Sequence, residues 1–300
     1  MNGLPTGRFA PSPTGDLHFG SLVAAVASFL DARSRNGRWL IRVEDLDPPR
    51  EVEGAAERQL AVLERYGMVP DESPVYQSHS RKQHDAAIAN LLDRGLAFPC
   101  ACSRKQLPES GIYPGTCRNG IPAGLAARSV RFRTNDSVVE FVDQVFAEQT
   151  QVPAEQTGDF IIRRGDGLIA YQLAVVVDDA AAGITDIVRG ADLLDSTGRQ
   201  ILLQRALDLP MPTYVHLPLV VDPNGRKLSK SDSDDPVANM VPRQALALAL
   251  SVLGHPPPTD RQDMHSIWSW ALANWNRARI PRGPVVVQTG RIEGYTRNVP

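Results

Sequence analysis

The chain has 300 residues, of which 42% are apolar and 22% are charged, and its formal net charge at pH 7 is −2. This composition excludes a disordered or collagen-like chain, and the length suits one large domain or two ordinary ones. The sequence contains no apolar run near the roughly 18 residues of a membrane span, and its start lacks the charged and apolar blocks of a secretion signal. We therefore expect a cytoplasmic protein with no membrane partner.

The first hundred residues predict strands and helices in alternation. Gly7–Ala10 suits a short strand, Pro11–Asp16 is rich in turn residues, and 21–35 has helical periodicity. Trp39–Val43 follows as a buried strand and ends at Glu44. A strand, a crossover helix and a second strand predict a parallel βαβ unit, and the stretches 51–66 and 81–94 predict two further helices.

The remaining residues continue the alternation after an irregular stretch that covers 98–123. Short β segments are expected over 130–146, and Phe160–Arg164 and Leu168–Val177 predict a hairpin around a tight turn. The later predictions are a strand at 184–188, a helix at 193–207, a strand at 217–221 and helices beyond 241.

These predictions describe an α/β nucleotide-binding fold with an insertion and a helical tail. We divide it into residues 1–97 and 141–232 as the two halves of the catalytic domain, 98–140 as the insertion and 233–300 as the helical segment. Three tryptophans in the last segment indicate a packed cap on the domain rather than a separate RNA-binding unit. Residues 241–300 carry an excess of arginine that suits RNA phosphates or an ordinary solvated face.

The first motif joins the first predicted strand to the first predicted helix, over Pro11–Ser21. This position brings Gly20 and the free N–H groups of the helix start to where a phosphate can approach, and His18 can donate to a phosphate oxygen. Ser21 is expected to cap the helix. A proline-rich turn before a capped helix is the alternative, with no ligand involved.

The second motif, Lys227-Leu228-Ser229-Lys230-Ser231, follows the Asp222–Gly225 turn. Two lysines on one loop supply point charges that can follow a polyphosphate during a reaction. By itself, such a loop is more often an ordinary basic surface.

Together, the two motifs resemble the paired signatures of the class I aminoacyl-tRNA synthetases, and Arg8–Gly15 followed by Leu17-His18-x-Gly20 resembles the glutamyl and glutaminyl branch. The resemblance covers about 7–232 and implies a Rossmann-type catalytic domain that uses ATP and Mg²⁺. It implies that the catalytic residues are His18, Lys227 and Lys230, and that the ATP-binding residues are His18, Gly20, Ser21 and Lys230. Ser21 and Leu228 depart from the family signatures, but capping and side-chain volume are kept.

A glutamate pocket needs an acid for the ammonium and an arginine for the side-chain carboxylate. Candidates at predicted strand ends or in an apolar strand are Arg8, Glu44, Tyr171 and Arg189, although each alone is more often a surface or core residue. The resemblance implies that Glu44 holds the ammonium and that Arg8 and Arg189 hold the carboxylate. The full set that it implies for glutamate contact is Arg8, Phe9, Ala10, Pro11, Ser12, Glu44, Tyr171 and Arg189.

The three cysteines, Cys100, Cys102 and Cys117, fall within eighteen residues that have little apolar pattern. Three thiolates and one further ligand suit tetrahedral Zn²⁺, which would give this segment its fold. Tyr113, Ser103, Glu109 or water is a candidate fourth ligand, and the alternatives to zinc are reduced structural thiols or a disulfide with one thiol to spare. The resemblance implies Tyr113, in a zinc-containing subdomain similar to the acceptor-stem region of the branch.

The residues alone support an ATP-using ligase-type enzyme for an acidic amino acid. The resemblance is to a truncated paralogue without an anticodon-binding domain, and it implies L-glutamate transfer to queuosine at the wobble position of tRNA(Asp). The expected partners are L-glutamate, ATP and tRNA(Asp) carrying queuosine, and we expect a monomer. The alternatives are charging of a tRNA 3′ end and a non-catalytic, zinc-dependent RNA-binding protein.

Overall fold

The structure is a computed structural model that describes residues 3–227, 236–260 and 263–287. Within these ranges the strands are β1 (Thr6–Phe9), β2 (Arg38–Val43), β3 (Val75–Tyr76), β4 (Ala97–Cys100), β5 (Ser129–Phe132), β6 (Val139–Asp143), β7 (Ala147–Gln151), β8 (Ile161–Arg163), β9 (Asp186–Gly190), β10 (Thr213–Leu217), β11 (Val220–Val221) and β12 (Val285–Val286). The α-helices are α1 (Phe19–Arg33), α2 (Ala55–Arg65), α3 (Arg81–Asp93), α4 (Pro153–Gln156), α5 (Tyr171–Ala181), α6 (Thr197–Ala206), α7 (Pro242–Val252) and α8 (Met264–Asn274).

A seven-stranded sheet in the order β3-β2-β1-β9-β10-β6-β7 forms the centre of the molecule. Its neighbours are parallel from β3 to β6, and β7 is antiparallel to β6. The predicted α/β class and the βαβ unit formed by β1, α1 and β2 are therefore confirmed. Strand β2 lies on one side of β1 and β9 lies on the other, so the strand order reverses at β1. Open α/β sheets bind ligands in the crevice that forms at the carboxyl ends of the strands at such a point.

Helix α1 crosses one face of the sheet and is apolar nearly all round, as a buried helix must be. It packs against β1, β9 and α7, and a Cβ at Gly7 of β1 would meet the Ala32 Cβ of the helix at 3.4 Å. The C-terminal helices close its other side, where the Trp268 ring packs edge-on against Phe29 and its Nε1 donates to Tyr66 O. Across the described ranges, none of the helices is both long and apolar enough to cross a bilayer.

A second, three-stranded sheet in the order β4-β5-β8 carries the cysteine segment. Strands β6 and β7 leave this part of the chain as a hairpin and join the central sheet beside β10. The expected short β segments over 130–146 are therefore present, but they belong to two different sheets. The four domain boundaries given above stay predictions.

The predicted hairpin around Gly165–Gly167 is wrong in its second half. Only the short β8 and an isolated bridge between Arg163 and Ile169 are extended, and the chain enters α5 at Tyr171. A short apolar run fits a buried strand and a buried helix equally well, so periodicity alone does not decide between them. The helix is favoured here because α5 packs between α3 and α6 and buries two consecutive acids, Asp178 and Asp179.

Candidate active site

A cavity of about 420 Å³ opens at the carboxyl ends of β1, β2, β9 and β10, within the range of small-molecule sites. The structure brings to it all of the described residues that were predicted to act on glutamate or ATP: Arg8, Phe9, Ala10, Pro11, Ser12, His18, Gly20, Ser21, Glu44, Tyr171, Arg189 and Lys227. Lys230, with Leu228, Ser229 and Ser231, lies outside the described residues. The two motifs, which are about 200 residues apart in the chain, thus meet at one cavity through Lys227.

The N-terminus of α1 points its first turn at this cavity, but its cap differs from the prediction. The capping residue is His18, whose Nδ1 accepts from the Ser21 N–H at 3.2 Å, and the helix begins at Phe19. Ser21 is therefore a first-turn residue and not the cap. Because Nδ1 is an acceptor, a neutral His18 carries its proton on Nε2, 3.0 Å from Ser21 Oγ. The positive end of the helix dipole and the Nε2–H group suit an anion.

The side chain of Gln59 in α2 stabilises the turn that precedes α1. The Gln59 side chain is buried, and its Nε2 donates to Ser12 O at 3.0 Å and to Gly15 O at 2.6 Å. Gly15 has a φ of +132°, which glycine adopts without strain. Two backbone N–H groups from outside the turn, those of Glu44 and Val52, donate to Pro11 O and Pro13 O. The turn is thus a fixed wall of the cavity.

Four charged residues form a buried chain on the floor of the site. Asp179 of α5 accepts from Arg8 Nε at 3.0 Å and from Arg42 Nη1 at 2.5 Å. Arg42 Nη2 then lies 3.2 Å from Glu44 Oε1, which faces the cavity. Burial works against ionisation of Asp179, but the two guanidinium groups outweigh it and lower its pKa. Glu44 differs, since burial raises its pKa against the opposing effects of Arg42 and Arg8.

Arg189 presents a second cation to the cavity with a different set of partners. Its guanidinium is held by His216 Nε2 at 2.9 Å, Gln200 Oε1 at 2.7 Å and Thr197 Oγ1 at 2.9 Å. Leu193 O is a fourth, more distant acceptor. Arg8 is thus neutralised by a carboxylate, whereas the described partners of Arg189 are neutral groups. A buried charge of this kind favours an anionic ligand.

Tyr171 and Lys227 also line the cavity. Tyr171 begins α5 instead of lying in a strand, and burial raises the pKa of its hydroxyl group. Lys227 Nζ lies 2.6 Å from Asp192 Oδ2, and both side chains are about two-fifths exposed. A surface ion pair of this kind contributes little stability and is easily exchanged for another anion.

The three cysteines form a separate cluster in which all three Sγ atoms lie within 4.8 Å of one another. Each cysteine is a free thiol, and Cys102 Sγ is 3.7 Å from Cys117 Sγ. The Tyr113 hydroxyl lies 3.5 Å from Cys100 Sγ and 3.9 Å from Cys102 Sγ. Sequence spacing thus brought the three thiols and the expected tyrosine together, while Ser103 and Glu109 do not appear in this set of contacts.

The surroundings of the cluster favour a thiolate at Cys100. Burial opposes ionisation, but hydrogen bonds from Tyr113, from the Cys102 backbone and from Arg131 lower the Cys100 pKa to about 7. Arg131 Nε is 3.4 Å from Cys100 Sγ, and its guanidinium lies 3.9 Å from the centre of the Tyr113 ring. Thiolates are the form of cysteine that binds metal ions.

Sequence reasoning missed the residues that hold the site from behind. Asp179, Arg42 and Gln59 are all buried polar residues whose partners lie far away in the chain. A signal for Asp179 was present, because two consecutive acids directly after an apolar run are unusual in a core. Arg42 alternates with apolar residues in β2 and had no comparable signal.

Comparison with known proteins agrees with this geometry. The family model for the catalytic domain of class I tRNA synthetases (E and Q) matches residues 6–111 and 118–269. A glutamyl-Q tRNA(Asp) synthetase from Aromatoleum aromaticum is 49% identical over 98% of this chain and 96% of its own length. Proteins with the same name from Ectopseudomonas mendocina and Pseudomonas aeruginosa are 51% and 52% identical, over 96% and 94% of this chain and 99% and 97% of their own lengths.

A solved structure of a glutamate tRNA ligase from Elizabethkingia meningosepticum, in complex with its amino acid, has a similar fold. It superposes with a TM-score of 0.79 over 95% of this chain and 67% of the ligase, at 23% sequence identity. At this identity the likeness establishes the fold alone, which is the Rossmann-like α/β fold that the sequence predicted.

We predict that Gln59→Leu loosens the turn before α1, because Ser12 O and Gly15 O lose their buried donor. Amide hydrogen exchange should be faster at Glu44 and Val52, whose N–H groups bond to the same turn. The free energy of unfolding should fall by about 1–3 kcal/mol. Glu64→Ala, at an exposed position of the same helix, is the control, and equal exchange rates in the two variants would contradict this role for Gln59.

Proposed function

This chain belongs to the class I tRNA synthetases of the E and Q type, and we propose that it activates L-glutamate with ATP and transfers it to queuosine at the wobble position of tRNA(Asp). The names of its relatives support the substrate and the acceptor. The observation in this chain that carries the proposal is Arg189, a buried guanidinium at the cavity whose described partners are neutral.

In the proposed binding mode, glutamate lies over the carboxyl ends of β1, β2 and β9. Arg189 would bind its side-chain carboxylate, with Arg8 as a weaker contributor because Asp179 already pairs with it. Glu44 would accept from the ammonium, which would offset the burial that raises the Glu44 pKa. Phe9, Ala10, Pro11, Ser12 and Tyr171 would surround the rest of the molecule.

ATP would occupy the part of the cavity next to the start of α1. The N–H groups at the start of α1 would bind phosphate oxygens, with Gly20 allowing a close approach. His18 Nε2 would exchange its contact with Ser21 Oγ for a phosphate oxygen. Lys227 would exchange its pairing with Asp192 for the leaving phosphates, together with Lys230. Mg²⁺ bound to the ATP phosphates would add charge neutralisation.

The reaction would proceed in two displacements. An oxygen of the glutamate α-carboxylate would form a bond to the α-phosphorus of ATP, and pyrophosphate would leave with the electron pair of the broken P–O bond. A hydroxyl group of the queuosine ring would then attack the carbonyl carbon of the adenylate and lose its proton to water, and AMP would leave with the electron pair of the broken C–O bond. Because the attacking carboxylate is already ionised, the first step needs positioning and charge stabilisation rather than a general base.

The cysteine cluster would hold one structural Zn²⁺. Thiolates about 2.3 Å from a tetrahedral zinc are about 3.8 Å apart, and Cys102 Sγ and Cys117 Sγ are 3.7 Å apart. The three thiols therefore fit the ion, and Tyr113 is the proposed fourth donor because its hydroxyl lies 3.5 Å from Cys100 Sγ and 3.9 Å from Cys102 Sγ. When bound, zinc would tie the segment after β4 together and would supply no step of the reaction.

The proposal is tested by ATP–pyrophosphate exchange with purified protein and glutamate, glutamine or aspartate. We expect exchange with glutamate and no added tRNA, followed by transfer of labelled glutamate to queuosine-containing tRNA(Asp) but not to the same tRNA without queuosine. Exchange that appears only with tRNA(Glu) would favour charging of a 3′ end. Absence of exchange under every condition would favour a non-catalytic RNA-binding protein.

We predict that Arg189→Ala raises the glutamate KM in this exchange by about 10–100-fold, because the side-chain carboxylate loses its charged partner. The ATP KM should remain near the wild-type value. Arg205→Ala, which removes an exposed arginine from α6, is the matched control. An unchanged glutamate KM in Arg189→Ala would remove this assignment of the pocket.

We predict that Cys100→Ser lowers the zinc content of the purified protein well below one ion per chain. The free energy of unfolding should fall by about 2 kcal/mol or more, because the metal holds a segment with little apolar core. Tyr113→Phe tests the fourth ligand while all three thiols are kept. Weaker zinc retention against a chelator would support the Tyr113 phenol as that ligand, and wild-type retention would point to water. Full zinc content in Cys100→Ser would contradict the metal site.

A further inference from the structure

Two buried residues lie behind Arg189 in the central sheet. His216 of β10 is the cross-strand neighbour of Arg189 in β9, and Asp143 ends β6 on the other side of β10. His216 Nε2 accepts from Arg189 Nε at 2.9 Å, and His216 Nδ1 lies 2.7 Å from Asp143 Oδ2. The exposed fractions of His216 and Asp143 are 0% and 1%, and Arg189 lines the cavity whereas these two residues do not.

This geometry fixes the proton on the imidazole. A guanidinium is a donor and never an acceptor, so His216 Nε2 must be unprotonated where it meets Arg189. The proton of the neutral ring is then on Nδ1, from which it is donated to Asp143. Asp143 is held as the anion, since hydrogen bonds from His216 and from the N–H groups of Phe146 and Val145 lower its pKa despite burial.

An imidazole between the two charges has a different effect from a direct ion pair. Arg8 contacts Asp179 through two atoms, so its charge is already matched by a carboxylate. Arg189 instead donates to the unprotonated Nε2 of a neutral His216, and the carboxylate of Asp143 lies on the far side of the imidazole ring. The arginine is oriented by the hydrogen bond, while its charge stays available to a ligand carboxylate in the cavity.

We infer that Asp143 and His216 are positioning residues, which hold Arg189 oriented and unneutralised for the side-chain carboxylate of glutamate. This inference rests on the proposed function for its ligand. The other contacts of the guanidinium, with Gln200 and Thr197 of α6, fix its far end. The ring of Tyr214 lies 5.4 Å from its Cζ atom and closes one face.

The first test is His216→Leu, which fills the site with an apolar side chain of similar size and removes the hydrogen bonds to Arg189 and Asp143. The glutamate KM in ATP–pyrophosphate exchange should rise on the order of tenfold, because a misaligned guanidinium binds the carboxylate poorly. The ATP KM, and kcat at saturating glutamate, should stay close to wild type. His216→Gln should recover much of the loss, since its amide offers an acceptor and a donor.

His255→Leu is the matched control, because His255 is also fully buried but lies at the end of α7, away from the cavity. It should lower thermal stability and leave the glutamate KM unchanged. A double-mutant cycle completes the test: if His216 acts through Arg189, His216→Leu should add little to the glutamate KM of Arg189→Ala. Full additivity of the two effects would overturn the inference.

A readout that needs no activity is the ¹⁵N NMR signature of the His216 ring. We expect a neutral ring protonated on Nδ1 in the wild type, because Arg189 donates to Nε2 and Asp143 accepts from Nδ1. A wild-type ring protonated on Nε2 would overturn the inference, even if His216→Leu failed to fold. Equal rises in the glutamate and ATP KM of His216→Leu would do the same, since they would indicate a merely structural role.

Different results would contradict the proposed function and the inference about His216. If wild-type protein shows no glutamate-dependent exchange, the proposed function fails, while the ring tautomer still reports on the contact between Arg189 and His216. If the wild type exchanges but His216→Leu has the wild-type glutamate KM, the inference fails and the proposed function stands.

Discussion

A carboxylate buried between two guanidinium groups, Asp179 between Arg8 and Arg42, is the interaction on which the site depends. Each of the three residues comes from a different element, α5, β1 and β2. Such a cluster adds little net stability compared with apolar packing, but loss of one member leaves an unmatched buried charge, which is strongly unfavourable. The cluster therefore fixes how α5 lies over the first two strands, and through Arg42 it also fixes Glu44.

The same cluster sets the sign of the charge that remains in the cavity. With Glu44 ionised, Arg8 and Arg42 are matched by Asp179 and Glu44, and these four residues are neutral as a group. Arg189 adds a positive charge that no carboxylate contacts directly among the described residues. A zwitterionic amino acid with one additional carboxylate carries the complementary charge. Under the proposed function, selectivity for glutamate would follow from which of the arginines already has a carboxylate partner, and not from the number of arginines.

Those parts of the site that are formed by residues close together in the chain could be predicted from the sequence. The turn and helix start of the first motif, the ends of β1 and β2, and the spacing of the cysteines were all found in this way. The cap of α1 was assigned to Ser21 instead of His18, because serine is the common capping residue and the histidine was interpreted only as a ligand. The helix at Tyr171 was missed because its apolar run has no decisive period.

The buried residues behind the site could not be predicted, because their partners are distant in the sequence. Arg8 and Asp179 are 171 residues apart, and His216 and Asp143 are 73 apart. Pairings at this separation depend on the strand order, which a single sequence does not determine. Once the order is known, register explains why His216 lies beside Arg189 and near Asp143, since Arg189 is opposite His216 and Tyr214 is opposite Asp143. The pairing of Arg8 with Asp179 depends instead on where helix α5 lies. The resemblance to a family pointed to residues that line the cavity, but not to those that hold them in place.

The hairpin of β6 and β7 shows how this architecture links its parts. It follows the cysteine-bearing segment in the chain, yet it extends the central sheet past β10 instead of staying with the smaller sheet. The hairpin thereby brings Asp143 next to His216, and this carboxylate is separated from Arg189 by the imidazole ring. The segment between the two halves of the sheet thus supports the wall of the cavity from inside the core. A shift of β6 along β10 would displace Asp143 and would reach the guanidinium in the cavity through His216, because each intervening contact is a buried hydrogen bond.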